Sequence, residues 1–297
     1  MKSEPGIPQT RQRDPAHYYE EGNVIFLCGK SLFRLHRSRL ARKSEYFKDM
    51  FNVGSDVRIL DGYDDEHPLN LNKSGISEED FRNFCTFLYD SDELPKDTPL
   101  KFFESVLVLS DMWMVDSGKR FVLTHLPKHP EFTQAMKIRL SRQFNIHEWL
   151  EPAFRALVAC STGDISPVDA DNMGAVTLYS VIKTKTEVFD HLRYLAYWPP
   201  PVRHGWSCLD EVECSKWWDG FWWNVFARQL LHPNNTKTAK EILEKADWNV
   251  GFLSQMGNEC LRRTFDDIWD ENPFEIDGQL VDVAFNDFKK WVEGLGI

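Results

Sequence analysis

The sequence lacks the short motifs that mark the common catalytic sites. It contains no G-x-S-x-G nucleophile elbow, no H-E-x-x-H zinc motif, and neither the G-x-x-x-x-G-K-[ST] nor the G-x-G-x-x-G phosphate-binding loop. Its 46 acidic residues bring carboxylates together by chance in many places, so such pairs identify no acid–base site. We therefore predict a protein that is not an enzyme and that needs no cofactor.

Long apolar runs and a surplus of positive charge are also missing. The uninterrupted apolar runs span only a few residues, whereas a membrane-spanning helix needs about 20. With 35 basic and 46 acidic residues, the net charge is -11. The chain therefore lacks the excess of positive charge that is typical of proteins that bind nucleic acids. The N-terminus carries no apolar stretch of the signal-peptide type. We expect an intracellular protein, cytoplasmic or nuclear, that contacts neither membrane nor nucleic acid directly.

Cysteine is scarce, with six residues in 297. Irregular spacing favours reduced thiols over a disulfide framework. One group has ligand-type side chains: His204, Cys208, Cys214 and Cys260, with His232 as a further candidate. Its His-x3-Cys and Cys-x5-Cys spacings depart from the Cys-x2-4-Cys pairs of structural zinc sites, and the fourth ligand is distant in sequence. The spacing therefore favours buried thiols in a helical core, and we predict no metal.

The N-terminal part of the chain alternates between strand and helix patterns. Residues 1–14 are polar and contain prolines, which predicts a flexible arm. The apolar run Val24–Cys28, the turn Gly29-Lys30 and the run 32–35 predict a β-hairpin. Helical spacing begins after His36, a lone histidine that we expect to form structural hydrogen bonds.

The rest of the N-terminal half contains further candidate helix caps, a predicted strand and predicted helices. Ser44 is a candidate helix cap, 68–71 a third strand, and Ser77 the start of a helix with an apolar face. Thr98-Pro99 predicts a further N-cap with proline at the first helical position. Another helix runs from about Asp116 and stops near residue 127. Strands, helices, a strand and then helices indicate an α+β fold.

The C-terminal part reads as helical. Helical patterns cover the ranges 147–160, 167–197, 209–231, 237–246, 249–269 and 279–293. Four tryptophans, Trp217, Trp218, Trp222 and Trp223, fall on one helix that is apolar around most of its circumference. We expect this helix to lie at the centre of the second domain, with an exposed peptide-binding groove as the alternative.

The segment 23–51 resembles the BTB/POZ domain. That family opens with a strand Asp-Val-x-Phe/Leu, here Asn23-Val24-Ile25-Phe26, and a second strand ends in Phe-x-x-His-Arg/Lys, here residues 33–37. The family's helical motif Leu-x-x-x-Ser-x-x-Phe-x-x-Met/Leu-Phe corresponds to residues 40–51, and the helix 81–89 is similar to its third helix. The Trp-rich helical remainder looks most like the BTB-domain proteins of fungi. The resemblance covers residues 15–128.

BTB domains are interaction modules, so the resemblance implies that the partners are other proteins. It implies self-association as a homodimer through the N-terminal strand and first helix, recruitment of a cullin-type ubiquitin ligase scaffold, or corepressor binding. The interaction residues that it implies are Asn23, Val24, Phe26, His36, Arg37, Leu40, Phe47, Phe51, Tyr89 and Glu93.

The sequence departs from the family pattern in two places. Asn23 replaces the family's Asp. The Asp–basic pair that forms a charged pocket in transcriptional BTB dimers therefore becomes Asn23 with Arg37, and this change weakens the expectation that the domain binds a corepressor. Cullin adaptors carry a hydrophobic-x-Glu motif after the third helix, and Ser91-Asp92-Glu93 supplies only the Glu. No Kelch repeat, MATH module or zinc finger accompanies the domain.

We predict an arm at 1–14, a BTB/POZ domain at 15–128 and a helical domain at 129–297. The leading hypothesis is a non-enzymatic scaffold or cullin-type ubiquitin ligase adaptor whose helical domain contacts a client. The alternative is a transcription-associated regulator that acts through BTB-mediated oligomerisation. A zinc-stabilised or enzymatic C-terminal domain ranks third.

Overall fold

The computed structural model describes residues 11–53, 62–90, 95, 97–232, 235, 237–271 and 273–294. Backbone contacts divide the chain into two compact units, Met1–Phe132 and Thr133–Ile297. The first unit combines a small sheet with helices and the second is helical, so the predicted α+β class is confirmed.

The N-terminal unit contains four strands and five helices among the described residues. The strands are β1 (Gln12–Tyr18), β2 (Val24–Cys28), β3 (Ser31–Leu35) and β4 (Leu69–Asn70). The helices are α1 (Arg37–Lys43), α2 (Glu45–Val53), α3 (Glu78–Asp90), α4 (Leu100–Met112) and α5 (Asp116–His125), followed by the 3-10 turn Leu126–Lys128.

The sheet has the strand order β1-β3-β2-β4. β2 and β3 form the predicted antiparallel hairpin, with Phe26 opposite Phe33. Gly29 supplies the positive φ of 62° that its turn requires. β4, within the predicted strand 68–71, pairs with β2 in parallel.

β1 corrects the prediction of a flexible arm over residues 1–14. The strand begins at Gln12 and pairs in parallel with β3, whereas residues 1–10 lie outside the described residues. Its buried members are polar: Asp14 is 1% and His17 2% exposed. The Asp14 carboxylate accepts the backbone N–H of His17 at 2.9 Å, which stabilises the chain beside Pro15. Because polar groups anchor it, β1 carries no apolar strand pattern.

Two of the three predicted helix caps in this unit form. Ser44 Oγ accepts the N–H of Phe47 at 3.1 Å, and Ser77 Oγ accepts the N–H of Asp80 at 3.0 Å. The predicted Thr98 cap is wrong, because the Thr98 hydroxyl instead donates to the carbonyl of Pro95 at 2.6 Å. Pro99 is the N-cap of α4 and has no capping side chain.

Aromatic side chains form the core of the N-terminal unit. Phe26 of β2 and Phe33 of β3 both pack on Phe81 of α3, at ring-centroid distances of 5.5 and 4.8 Å. Trp113, just after α4, lies 5.1 Å from Phe47 of α2. These contacts bury the inner face of the sheet against α2, α3 and the end of α4.

The C-terminal unit is built from eight α-helices among the described residues. They are α6 (Gln134–Phe144), α7 (His147–Ala159), α8 (Pro167–Tyr197), α9 (Glu211–Phe221), α10 (Ala227–Leu230), α11 (Ala239–Glu244), α12 (Asn258–Glu271) and α13 (Ile276–Gly294), and a π-helical turn (Trp222–Phe226) joins α9 to α10.

The predicted helices in this half are largely present. The sequence patterns missed α6 altogether. The helix predicted over 249–269 is wrong at its start, because turns and the 3-10 segment Leu253–Gln255 precede α12. The long helix over 167–197 is present with a kink at Gly174, whose φ is 72°.

Two hydrophobic clusters form the core of the helical unit. One cluster joins α6, α7, the first part of α8 and α13, with Phe154 stacked on Phe288 at 5.2 Å. The other surrounds Trp218 and Trp222, which are both 1% exposed. The tryptophan-rich helix therefore lies in a core, as expected. Trp223 is the exception, because 43% of it is exposed.

Candidate partner-binding surfaces and ligand-type clusters

Asn23 lies at the start of β2, where it contacts the beginning of α1. Its side-chain Oδ1 accepts the backbone N–H of Arg37 at 2.8 Å, one of the N–H groups that a helix start leaves without an intrahelical partner. The Arg37 guanidinium lies 5.4 Å from the centre of the Phe51 ring. Asn23 therefore caps a helix from a distant strand.

His36 joins β3 to α1 through a hydrogen-bonded aromatic cluster. The Tyr89 hydroxyl accepts the His36 backbone N–H at 3.0 Å and lies 3.0 Å from His36 Nδ1. Tyr19 stacks on Tyr89 with ring centroids 4.4 Å apart, and burial raises the pKa of Tyr19 to about 12. Arg39 covers Tyr89 at 4.2 Å. These contacts give His36 the structural hydrogen bonds expected from its position.

Several residues that the sequence assigned to a partner interface lie in the core instead. Val24, Phe26, Leu40 and Phe47 are at most 1% exposed, so these four side chains belong to the core of the domain. They face inward because they are the apolar members of β2, α1 and α2. Asn23 is exposed, whereas His36, Arg37, Phe51 and Tyr89 are half-buried. Glu93 lies outside the described residues.

Two neighbouring parts of the domain, α2 and the end of α4, expose apolar side chains that the sequence did not indicate. We call this set the α2/α4 patch and define it by Tyr46, Val108, Met112 and Met114. The Ser44 hydroxyl donates to the carbonyl of Trp113 and so holds the start of α2 against the end of α4. Tyr46 is 44%, Met112 44% and Met114 65% exposed. Val108 and Met112 share a face of α4 because they are four residues apart.

The backbone at Met114 is unusual for a long side chain. Its φ of 53° falls in the left-handed region that favours glycine or asparagine. Glycine or asparagine would satisfy that backbone without adding apolar surface, yet methionine occupies the position. Exposed methionine is a flexible apolar contact group in protein-binding surfaces. The α2/α4 patch therefore has the chemistry of a protein contact surface.

A second apolar surface lies in the helical unit. An open groove of about 670 Å³ is lined by Arg193, Ala196, Tyr197, Trp223, Ala227, Arg228, Leu231 and His232. The rings of Tyr197 and Trp223 meet edge-on at 5.8 Å. The groove thus combines the aromatic surface of Tyr197 and Trp223 with the positive charges of Arg193 and Arg228.

The fold also brings the ligand-type residues of the helical unit together. His204, Cys208, Cys214 and Cys260 each offer a ligand atom, and these atoms lie within 4.8 Å of one another. Their spacing favoured buried thiols in a helical core over a metal site, whereas the fold brings the four ligand atoms into one cluster. His232 lines the aromatic groove.

None of the helices in the described ranges combines the length and the apolar character needed to cross a bilayer.

Comparison with known proteins identifies the N-terminal unit. Residues 16–129 match the family model of the BTB/POZ domain. The short four-stranded sheet with its clustered helices is thus a BTB/POZ domain, which accounts for the N-terminal part of the chain. Domains of this family are protein–protein interaction modules and are typically non-enzymatic. No curated protein matches the chain.

Proposed function

We propose that this protein is a non-enzymatic adaptor: its BTB/POZ domain binds a cullin-type ubiquitin ligase scaffold, and its helical unit contacts a client. The observation that carries the proposal is the α2/α4 patch, which exposes an aromatic ring and two methionines on the BTB/POZ domain. An amphipathic helix of the scaffold would lay its apolar face on such a surface. Burial of apolar side chains would provide the main driving force.

The pairing of β1 supports an adaptor over an oligomeric regulator. β1 completes the sheet of its own chain through β3, and the buried Asp14 carboxylate ties it to Arg82 of α3 at 2.9 Å. A homodimer that exchanged this strand would have to break these contacts. Asn23 also gives its side-chain oxygen to a backbone N–H, so it contributes no charge to the pocket of transcriptional BTB dimers.

The aromatic groove supports client binding by the helical unit. Trp223 and Tyr197 offer flat apolar surface, and Arg193 and Arg228 add positive charge beside it. This chemistry fits a client segment in which an aromatic or aliphatic residue neighbours an acidic one.

All six cysteines are free thiols, which supports a reducing location in the cytoplasm or nucleus. We infer further that the chain resembles the BTB-domain proteins of fungi that carry a helical Trp-rich half.

Binding of the purified full-length chain to cullin N-terminal regions tests the adaptor role. We expect measurable binding by calorimetry, with an affinity loss of about thirtyfold or more for Met112→Lys, the size of an interface hot spot. Val283→Lys is the matched control, because Val283 is also exposed on a helix but lies in the helical unit. If no cullin N-terminal region binds, the adaptor role is excluded. If Met112→Lys binds as tightly as the wild type, the α2/α4 patch is excluded as the contact surface.

The client groove needs a separate measurement. Affinity capture from cells should recover the same scaffold with the full-length protein and with Trp223→Ser, whereas the client should be missing from the variant. Nuclear exclusion of the protein would count against the transcription-associated alternative. A dimer in light scattering would favour that alternative over the adaptor.

A further inference from the structure

Four metal-ligating side chains converge in the helical unit. One ring nitrogen of His204 and the Sγ atoms of Cys208, Cys214 and Cys260 lie within 4.8 Å of one another. Zn–S and Zn–N bonds of about 2.3 and 2.1 Å imply tetrahedral edges of about 3.6 to 3.8 Å. His204 Nδ1 and Cys208 Sγ are 3.5 Å apart. One edge of a zinc-sized tetrahedron is therefore already in place.

Three separate chain segments supply the four ligands. His204 and Cys208 lie in the loop between α8 and α9, where the Cys208 N–H donates to the carbonyl of Gly205 at 3.0 Å and closes a turn. Cys214 belongs to the first turns of α9 and Cys260 to the first turn of α12.

Contacts to α12 hold the ligand loop in position independently of the four ligand side chains. The Arg203 N–H donates to Thr264 Oγ1 at 2.9 Å, and the Arg203 guanidinium pairs with Asp267 at 2.7 Å. Ser207 Oγ donates to Glu259 at 2.9 Å. Gly205 packs so closely on α12 that a Cβ there would overlap the Glu259 side chain. The loop therefore presents His204 and Cys208 in a fixed position.

The groups around the ligands match the outer contacts of a metal centre. The Gly205 N–H donates to Cys260 Sγ at 3.2 Å, a hydrogen bond that stabilises a thiolate. His204 Nε2 lies 3.4 Å from Ser215 Oγ, and Ser215 donates its own proton to the carbonyl of Glu211 at 2.9 Å. The Ser215 oxygen can thus accept a hydrogen bond from an Nε2–H group of His204, which leaves Nδ1 as the free ligand nitrogen facing Cys208.

We propose that His204, Cys208, Cys214 and Cys260 bind one zinc ion as a structural Cys3His site. Three soft thiolates and an imidazole are a donor set that suits tetrahedral zinc. Four protein ligands fill the coordination sphere, so the site serves folding and leaves no position for a substrate. The ion ties the loop after α8 to the first turns of α9 and α12, and half-buried His204 and Cys208 provide the route of entry. This proposal is independent of the adaptor role.

Metal analysis of the purified full-length protein is the first test. We expect one zinc per chain after dialysis against buffer without metal. Replacement of zinc by cobalt should give the ligand-field bands of a tetrahedral site and the charge-transfer absorption of three thiolates. A wild-type protein that takes up neither zinc nor cobalt from excess metal overturns the proposal, as does a cobalt spectrum without thiolate bands.

Variants then assign the ligands. Cys208→Ser, on the half-buried loop, should lose at least nine-tenths of its zinc under chelator competition, and Ser215→Ala should bind zinc about ten- to a hundredfold more weakly. Cys160→Ser is the matched control, because Cys160 is a half-buried thiol of the same unit outside the cluster, and it should keep one zinc. Full zinc in Cys208→Ser overturns the assignment. The cobalt spectrum of the wild type decides the case even if the variants fold poorly.

Discussion

Asp14 of β1 and Arg82 of α3 form an ion pair of 2.9 Å in which the carboxylate side chain is 0% and the guanidinium side chain 39% exposed. The same Asp14 side chain accepts the N–H groups of Ala16 and His17. One buried carboxylate thus fixes the local fold of β1 and its attachment to the helix beneath it.

Asp14→Ala should therefore destabilise the BTB/POZ domain strongly. It removes the charged acceptor of two backbone N–H groups, of which that of His17 is buried, and the partner of Arg82, a loss of about 2–3 kcal/mol in the free energy of unfolding. Urea unfolding followed by tryptophan fluorescence measures this value. Arg13→Ala is the control, because the Arg13–Asp65 pair is exposed and should contribute little. Equal effects of the two variants would contradict the proposed role of Asp14.

Asn23 should respond to substitution as a helix cap. Asn23→Ala removes the oxygen that accepts the Arg37 N–H and should lower the free energy of unfolding by about 1 kcal/mol. Asn23→Asp keeps an acceptor and places negative charge near the positive end of α1, so its stability should equal or exceed that of the wild type. A loss of stability in Asn23→Asp would show that the position has another role.

Stability should fall when His17 is forced to take up a proton. Burial lowers the pKa of His17 below its ordinary value of 6.5, and Arg82 adds to that effect, while Asp14 and Asp90 oppose it. At pH values between the pKa of His17 in the folded protein and its pKa in the unfolded chain, the unfolded chain binds more protons than the folded protein does. The contribution of neutral His17 is therefore present above pH 6.5 and is lost as the pH falls through the folded pKa.

Denaturant midpoints at about pH 7.5 and about pH 5.5 test this sign, since most carboxylates stay ionised over that interval. His17→Gln keeps hydrogen-bonding groups that can reach Thr86 but cannot take up the proton. The drop in stability on acidification should be smaller in His17→Gln than in the wild type. An equal drop in both proteins would assign it to other groups.

The crossing of α4 and α5 should tolerate no side chain at Gly118. A Cβ at this position would overlap Ser110 Oγ and lie 3.2 Å from Phe87, so Gly118→Ala should cost about 1–3 kcal/mol. Within the described part of the chain, Ser110 Oγ is buried without a hydrogen-bond partner. Ser110→Ala should thus be close to neutral alone and should recover part of the loss in the double variant. Thermal unfolding of the wild type, the two single variants and the double variant completes this double-mutant cycle.

Local patterns were enough to predict the hairpin and α3. The run Val24–Cys28 and the apolar positions of α3 are periodic, and each has its own turn or cap. β1 was not predictable in this way because its buried residues, Asp14 and His17, are polar. α4 presented a different difficulty: it is apolar around most of its surface, so sequence alone did not distinguish exposed Val108 from its buried neighbours.

The cysteine cluster shows the limit of spacing arguments. Cys214 and Cys260 begin different helices, and only their packing around Trp218 and Phe265 brings the two thiols together. The spacing of ligands along the chain can reveal only those metal sites whose ligands lie close together within one loop or turn. A site assembled by the tertiary fold leaves no such signal.

Helix α8 has a consequence for how the C-terminal unit unfolds. Gly174 interrupts it with non-helical backbone angles, and the continuous part after that kink, residues 175–197, is about 35 Å long. Its early residues Met173 and Val181 belong to one hydrophobic cluster, and its late residues Leu195 and Ala196 belong to the other. After its kink, α8 is one continuous helix that contributes residues to both clusters. Neither cluster can therefore open without exposing part of the α8 backbone. The amide protons of both halves should therefore exchange with solvent in a single cooperative opening.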